Sequence, residues 1–159
     1  MDKITIRQCT VAEMLATPNL GELFSEYASE AAIPDLGAPI VHYDSYRTME
    51  SAGLLHIFAA FDGDHLIGFL VMIASIYPHF GKLLASTESY FVSKSHRHTG
   101  AGLKLMAIAE QKARELGAIG FYVSAPLNGV LDRLIERKGF NLTNRVFFKS
   151  FSNSGDSHV

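Results

Sequence analysis

A chain of 159 residues with 48% hydrophobic and 19% charged residues can bury the core of one domain and is too apolar for intrinsic disorder. The net charge of −2 gives no basic field for nucleic acid, and the lone Cys9 excludes an internal disulfide, which fits a reducing cytosol. The most apolar stretch, Leu66 to Tyr77, is too short for a helical membrane span, and Asp2, Lys3 and Arg7 interrupt any N-terminal apolar run, so a cytoplasmic protein is expected.

In chain order, Ile4, Ile6 and Gln8 alternate with Thr5, Arg7 and Cys9, which reads as a first strand near a sheet edge. Thr10-Val11-Ala12-Glu13 is a capping box that starts a helix. Thr17-Pro18 restarts it, with Pro18 at the first helical position and Leu20, Leu23, Phe24, Tyr27, Ala28 and Ala31 on one face. Pro34, Gly37 and Pro39 break the chain into a loop, and Asp44 can cap a short helix that ends at Gly53 with Tyr46 and Met49 inward. Leu55 to Phe61 is a second strand, Asp62-Gly63-Asp64 a hairpin turn, and Leu66 to Tyr77 a long central strand, apolar on both faces. After a turn at Pro78 to Lys82, Leu83 to Val92 forms a fourth strand. A long helix stops at Gly117, and Ile119 to Ser124 is a fifth strand. Pro126 to Lys138 is a helix with Leu127, Val130, Leu131, Leu134 and Ile135 toward the core. Phe140 to Leu142 and Arg145 to Phe151 close the sheet as a hairpin. Residues 1–151 make one domain, and the small polar residues 152–159 are expected to be a frayed tail.

The stretch from Glu88 to Gly117 organises the rest. Its order is strand, glycine-containing loop, helix, and a helix start with glycines presents free N–H groups and a positive dipole end to an anion. The spacing fits neither a dinucleotide fingerprint nor a P-loop. It reads R-x-x-G-x-G-x-L across Arg97, Gly100, Gly102 and Leu103. His96 and His98 flank Arg97, but no cysteine or carboxylate cluster joins them, so no metal is expected.

The motif resembles the coenzyme A signature of the GNAT superfamily of N-acetyltransferases. The element order resembles that fold over nearly the whole chain, and Asn128 with Gly139-Phe140 matches the family's "N…GF" pattern. The resemblance implies an α/β (α+β) fold: a mixed, mostly antiparallel sheet of about seven strands with flanking helices and a splayed parallel pair formed by the fourth and fifth strands. It implies acetyl-CoA as co-substrate, with the pyrophosphate at Arg97, His98, Thr99, Gly100, Ala101, Gly102 and Leu103, the pantetheine arm along the backbone of Tyr90, Phe91 and Val92, and Asn128 as a further cofactor contact. Glu88 becomes the candidate base, on a regular strand sharing a face with Tyr90 and Val92, or else a structural carboxylate. His42, Tyr43, Tyr77 and His79 fall in segments that cover the acceptor, while Tyr46 reads as core. The implied activity is acetyl transfer to a primary amine of a small molecule or peptide. A non-catalytic acyl-CoA sensor is the alternative, and so, more distantly, is an enzyme that uses a longer acyl chain. One departure stands out: Ile135 occupies the position where many family members carry a thiolate-protonating tyrosine, so the acid is either dispensable or supplied by Tyr122, Ser124 or Tyr90. The apolar run Val146-Phe147-Phe148, with the family habit, makes a homodimer an expectation.

Overall fold

The computed structural model describes residues 4–151, so the expected tail at 152–159 lies outside the described residues. The elements are β1 (Ile4–Cys9), α1 (Val11–Leu15), α2 (Leu20–Ala31), α3 (Tyr43–Ser51), β2 (Leu55–Asp62), β3 (His65–Tyr77) and β4 (Lys82–Val92). A 3-10 turn at Lys94–Thr99 leads to α4 (Ala101–Glu115), β5 (Phe121–Tyr122) and α5 (Val130–Glu136). The strands form one sheet in the order β1-β2-β3-β4-β5, antiparallel except for the β4–β5 pair. The crossover through α4 makes that pair parallel, as a strand–helix–strand unit requires.

Two hydrophobic layers hold the sheet. On one face α4 contributes Leu105, Met106, Ala109 and Ala113 against Phe58, Ile67, Leu70 and Met72. On the other face α1 and α2 bring Val11, Met14 and Leu23 onto Ile57, Phe69, Val71 and Phe91, with Tyr27, Tyr46 and Met49 packed beside them. Phe58, Leu66, Ile67, Leu70, Met72 and Leu105 are almost wholly buried, and each contributes about 1.5–3 kcal/mol through removal from water.

The local signals act as read at several points. Thr10 and Glu13 form the capping box reciprocally, with bonds of 3.0 Å and 2.7 Å. Gly117 ends the α4 segment with a positive φ of 86°, a conformation that favours glycine. Elsewhere the chain departs from expectation. Pro18 stays in a turn and α2 begins at Leu20, because the Asn19 side chain is engaged across the sheet. Its Nδ2 donates to the Leu66 carbonyl at 2.8 Å, and its Oδ1 accepts the Leu66 N–H at 3.1 Å. Asp44 lies inside the first turn of α3 rather than capping it; His42 holds the cap position.

The larger correction concerns the C-terminal quarter. The sheet has five strands among the described residues, not seven, and the hairpin at Phe140–Leu142 and Arg145–Phe151 does not form. β5 is two residues long and α5 seven, so neither offers an edge or face long enough to order the following chain. Leu127 and Val130, expected in the core, are 89% and 74% exposed, while Leu131, Leu134 and Ile135 stay half-buried.

Candidate active site

The site is built around β4. Its first half pairs on both sides: Ala85 and Ser86 face Phe121 and Tyr122 of β5 while also pairing with β3. Past Ser86 the parallel partner leaves. Ser124 turns its N–H to the Thr87 hydroxyl at 3.1 Å instead of to β4 backbone. From Glu88 onward the outer edge of β4 therefore faces no strand among the described residues. An unpaired strand edge inside a sheet presents a row of N–H and C=O groups to an extended, amide-bearing ligand.

At the parting point β4 carries a bulge. Val71 pairs with Ser89 and Met72 with Thr87, which leaves Glu88 as the extra residue. A bulge reverses the alternation of side chains around it. Tyr90 and Val92 consequently pack on the α4 layer, whereas Phe91 lies on the α2/α3 layer. Glu88 does not share the face of Tyr90 and Val92, as a regular strand would have it. Its carboxylate faces the tyrosines of α2 and α3. The Tyr46 phenol is pushed up by burial and then by hydrogen bonding to Glu88 and its charge; Tyr27 is raised by burial and by the same charge.

Of the residues expected to cover an acceptor, those of β3 and α3 lie on that face. Tyr77 continues the β3 alternation of Phe69 and Val71, and its ring stacks on Tyr122 with centroids 5.8 Å apart and 26° between planes. Tyr43 and Tyr46 stand one turn apart on α3, and His42 fixes the start of that helix through a 2.8 Å bond between Nδ1 and the Ser45 hydroxyl. His79 packs edge-on against Phe80 at 4.9 Å in the turn after β3.

The glycine loop sits at the other end of the open edge. Gly100 adopts the left-handed conformation, φ 78°, and caps α4. A Cβ at Gly102 would stand 2.7 Å from the Tyr90 hydroxyl, so only glycine leaves the first turn of α4 clear against that ring. Burial pushes the Tyr90 phenol up to about 12. Thr99 accepts the Ala101 N–H at 3.3 Å and donates to the His96 carbonyl at 2.6 Å, while His98 is exposed.

Arg97 is oriented away from this helix start. Its Nε donates to the Val92 carbonyl at 3.0 Å, its Nη2 meets Glu30 at 2.7 Å, and its guanidinium lies 5.5 Å from the centre of the Phe91 ring. Glu30 also holds Lys94 at 3.4 Å, and Glu26 accepts the Lys94 N–H at 2.7 Å. Burial works to raise the Glu30 carboxyl, but Arg97 and Lys94 outweigh it and hold it below the usual range. On the far side of the loop, His96 Nδ1 bonds the Ser93 and Ser95 hydroxyls at 2.8 Å and 2.9 Å, and its Nε2 is 3.6 Å from Asp62. Glu26, Glu30 and Asp62 escape a sequence reading. The available signal is charge complementarity between an i,i+4 carboxylate pair on α2 and the basic loop.

In the C-terminal part, Asn128 takes a positive φ of 60° in the turn before α5, and its N–H donates to Asp132 at 3.0 Å. Ile135 packs on the α4 layer with Phe121 and Phe140. Among the described residues no group of three metal-ligating side chains comes together.

A mixed sheet that opens between parallel strands beside a glycine-started helix is the fold of the N-acetyltransferases. The chain belongs to the acetyltransferase (GNAT) family, whose model matches residues 19–140. Solved structures agree. An aminoglycoside acetyltransferase from an uncultured soil metagenomic sample, in complex with sisomicin, superposes with a TM-score of 0.72 at 17% identity, covering 94% of this chain and 97% of that one. A transcriptional regulator from Bacillus halodurans C-125 gives 0.74 at 17% identity over 94% and 100%. A ribosomal-protein-alanine N-acetyltransferase from Brucella melitensis biovar Abortus 2308 gives 0.64 at 14% identity over 92% and 97%. At these identities the likeness shows the fold alone. No curated protein sequence matches the chain. No helix among the described residues is long and apolar enough to cross a membrane.

Proposed function

We propose that the protein is an acetyl-CoA-dependent N-acetyltransferase that acts on a primary amine by direct attack, with both substrates bound together. The observation that carries this reading is the open outer edge of β4 between the bulged Glu88 and the glycine loop. The edge offers the backbone of Tyr90, Phe91 and Val92 to the two amides of a pantetheine arm. The loop fits a pyrophosphate: Gly100, Ala101, Gly102 and Leu103 place N–H groups at a helix start, and Tyr90 fills the volume that a side chain at Gly102 would need. His98, Thr99 and Asn128 are assigned to the same cofactor, and Arg97 acts there chiefly by fixing the loop to α2.

Acetyl-CoA supplies the thioester carbon at which a C–N bond forms and a C–S bond breaks. Glu88 accepts the proton that the amine must lose. The Tyr122 phenol stands on the same sheet face and can return a proton to the leaving sulfur; the Tyr90 phenol is enclosed against α4. Holding both reactants on one strand supplies proximity, which can account for several kcal/mol of barrier lowering, about 7–11 in the best-oriented cases. His42, Tyr43, Tyr77 and His79 form the acceptor side. The single, buried, free Cys9 thiol is consistent with a reducing cytosol.

The test is a thermal shift. Acetyl-CoA raises the melting temperature of the wild type, and Gly100→Asp, which adds bulk, backbone strain and negative charge, removes that shift. Equal shifts in both would remove the cofactor from this loop. The sensor reading keeps one observation in its favour, Ile135 packed as a core residue where a phenol would protonate the thiolate. A thiol has a pKa of about 8.5, so the thiolate leaves tolerably unaided and the enzyme reading stands. Tight acetyl-CoA binding with no thiol release for any amine would reverse that choice. The exposed run Val146-Phe147-Phe148 supports a homodimer, which a monomeric mass in light scattering would refute.

A further inference from the structure

The charge and shape of the acceptor face go further than the transfer reaction and, resting on that reading, select a class of amine. Glu88 takes part in no ion pair among the described residues. The carboxylates on the helices around it are already engaged. Glu26 accepts the Lys94 N–H, Glu30 holds Arg97 and Lys94, Asp44 holds Arg47 and Glu50 accepts the Val11 N–H. Glu22 lies in the first turn of α2, at the end opposite Glu30. Glu88 is itself exposed and pairs with one ammonium; a second or third positive charge on the same ligand stays in water and gains at most the small benefit of a surface ion pair.

What surrounds that carboxylate is aromatic. Tyr27 and Tyr46 feel its charge, Tyr43 stands beside Tyr46, and the stacked pair Tyr77–Tyr122 lies along the same sheet face. Tyr122 pairs with Ser86, two residues before Glu88, so the stack and the carboxylate are neighbours by strand register. Parallel rings at this spacing leave an outer π-face that favours another flat ring or a cation above it. The loop that leads into α3 adds exposed Leu36 and Ile40, with Asp35 as its single carboxylate.

We infer that the acceptor is a monoamine carrying an aromatic or flat apolar group, its nitrogen at Glu88 and its ring against the Tyr77–Tyr122 pair. Polyamines and aminoglycosides are then poor substrates.

The experiment compares kcat/KM with acetyl-CoA for 2-phenylethylamine, n-butylamine, spermidine and sisomicin. The ring should confer an advantage of about tenfold or more over butylamine and spermidine, within the range that stacking and cation–π contacts supply. Tyr122→Leu and Tyr77→Leu, checked for folding by their melting temperatures, should bring the aryl-to-alkyl ratio near one. A preference for spermidine or sisomicin, or a ratio unmoved in both variants, overturns the inference while leaving the transferase reading intact. Absence of turnover with every amine overturns the transferase reading. Calorimetric binding of phenylethylamine to the CoA-saturated protein then decides the inference by itself. Binding stronger than that of butylamine and lost in Tyr122→Leu upholds it; equal or undetectable binding of the two amines overturns it.

Discussion

The two faces of β4 differ in what they are made of. On the α4 face, Tyr90 and Val92 join a layer of Leu, Met and Ala, and polar atoms are few. On the α2/α3 face the same strand places a carboxylate among phenols. One inserted residue makes the difference: without the bulge, Glu88 would alternate onto the α4 face opposite Met72. Burying an unpaired carboxylate there would cost several kcal/mol, so the bulge places the charge where it can be solvated and paired. On the proposed function, a single strand lines the cofactor with its edge and the acceptor with one face, while its other face carries the fold.

Substitutions on each face should therefore fail differently. The largest effect belongs to the acceptor face. Glu88→Gln should lower turnover by about 100- to 10,000-fold, the usual range for a general base, with the acetyl-CoA thermal shift retained. An unchanged pH–rate profile in that variant would make Glu88 structural. On the side that carries the fold, Gly68→Ala should cost about 1–3 kcal/mol or more in denaturant unfolding. Its Cβ would lie 2.8 Å from the Phe91 carbonyl, backbone that cannot step aside. Stability equal to wild type would show that β3 and β4 are not so close.

A smaller effect is expected at Gly102. Its clash is with the far end of the Tyr90 side chain, 2.7 Å away, and an added alanine recovers about 1 kcal/mol of helix propensity. Gly102→Ala should lose stability by about 1 kcal/mol, and Tyr90→Phe in the same chain should restore it. Failure of that rescue would place the Tyr90 hydroxyl elsewhere. The smallest effect is a pH dependence away from the site. His56 is buried, and burial lowers its basicity despite a 3.2 Å bond to the Gly53 carbonyl. The unfolded imidazole, with a pKa of about 6.5, takes up its proton first, so stability is fully present above that pH and falls as pH drops toward the depressed folded value. His56→Gln should flatten this part of the stability–pH curve; an identical slope would assign it to other groups.

Much of this arrangement was legible in the residues. Period-2 and period-3.6 patterns, the Thr10–Glu13 box and the Arg97–Gly102 spacing locate the strands, the crossover helix and the loop. The bulge was not legible, because Ser86 to Ser89 reads as ordinary strand and the extra residue shows only when β3 is laid beside it. The Arg97–Glu30 pair was not legible because Glu30 is distant in sequence and lies on another element. The C-terminal hairpin failed for the opposite reason. Val146-Phe147-Phe148 has strand propensity, but propensity forms no strand without an edge to pair with, and β5 offers two residues.

Amide hydrogen exchange with and without acetyl-CoA asks whether β4's outer edge receives the cofactor. Saturating acetyl-CoA should slow exchange in the segments covering Glu88–Val92 and Gly100–Leu103, and leave β1 and β2 unchanged. Exchange unaltered in both of those segments, with the cofactor shown to be bound, would contradict that placement.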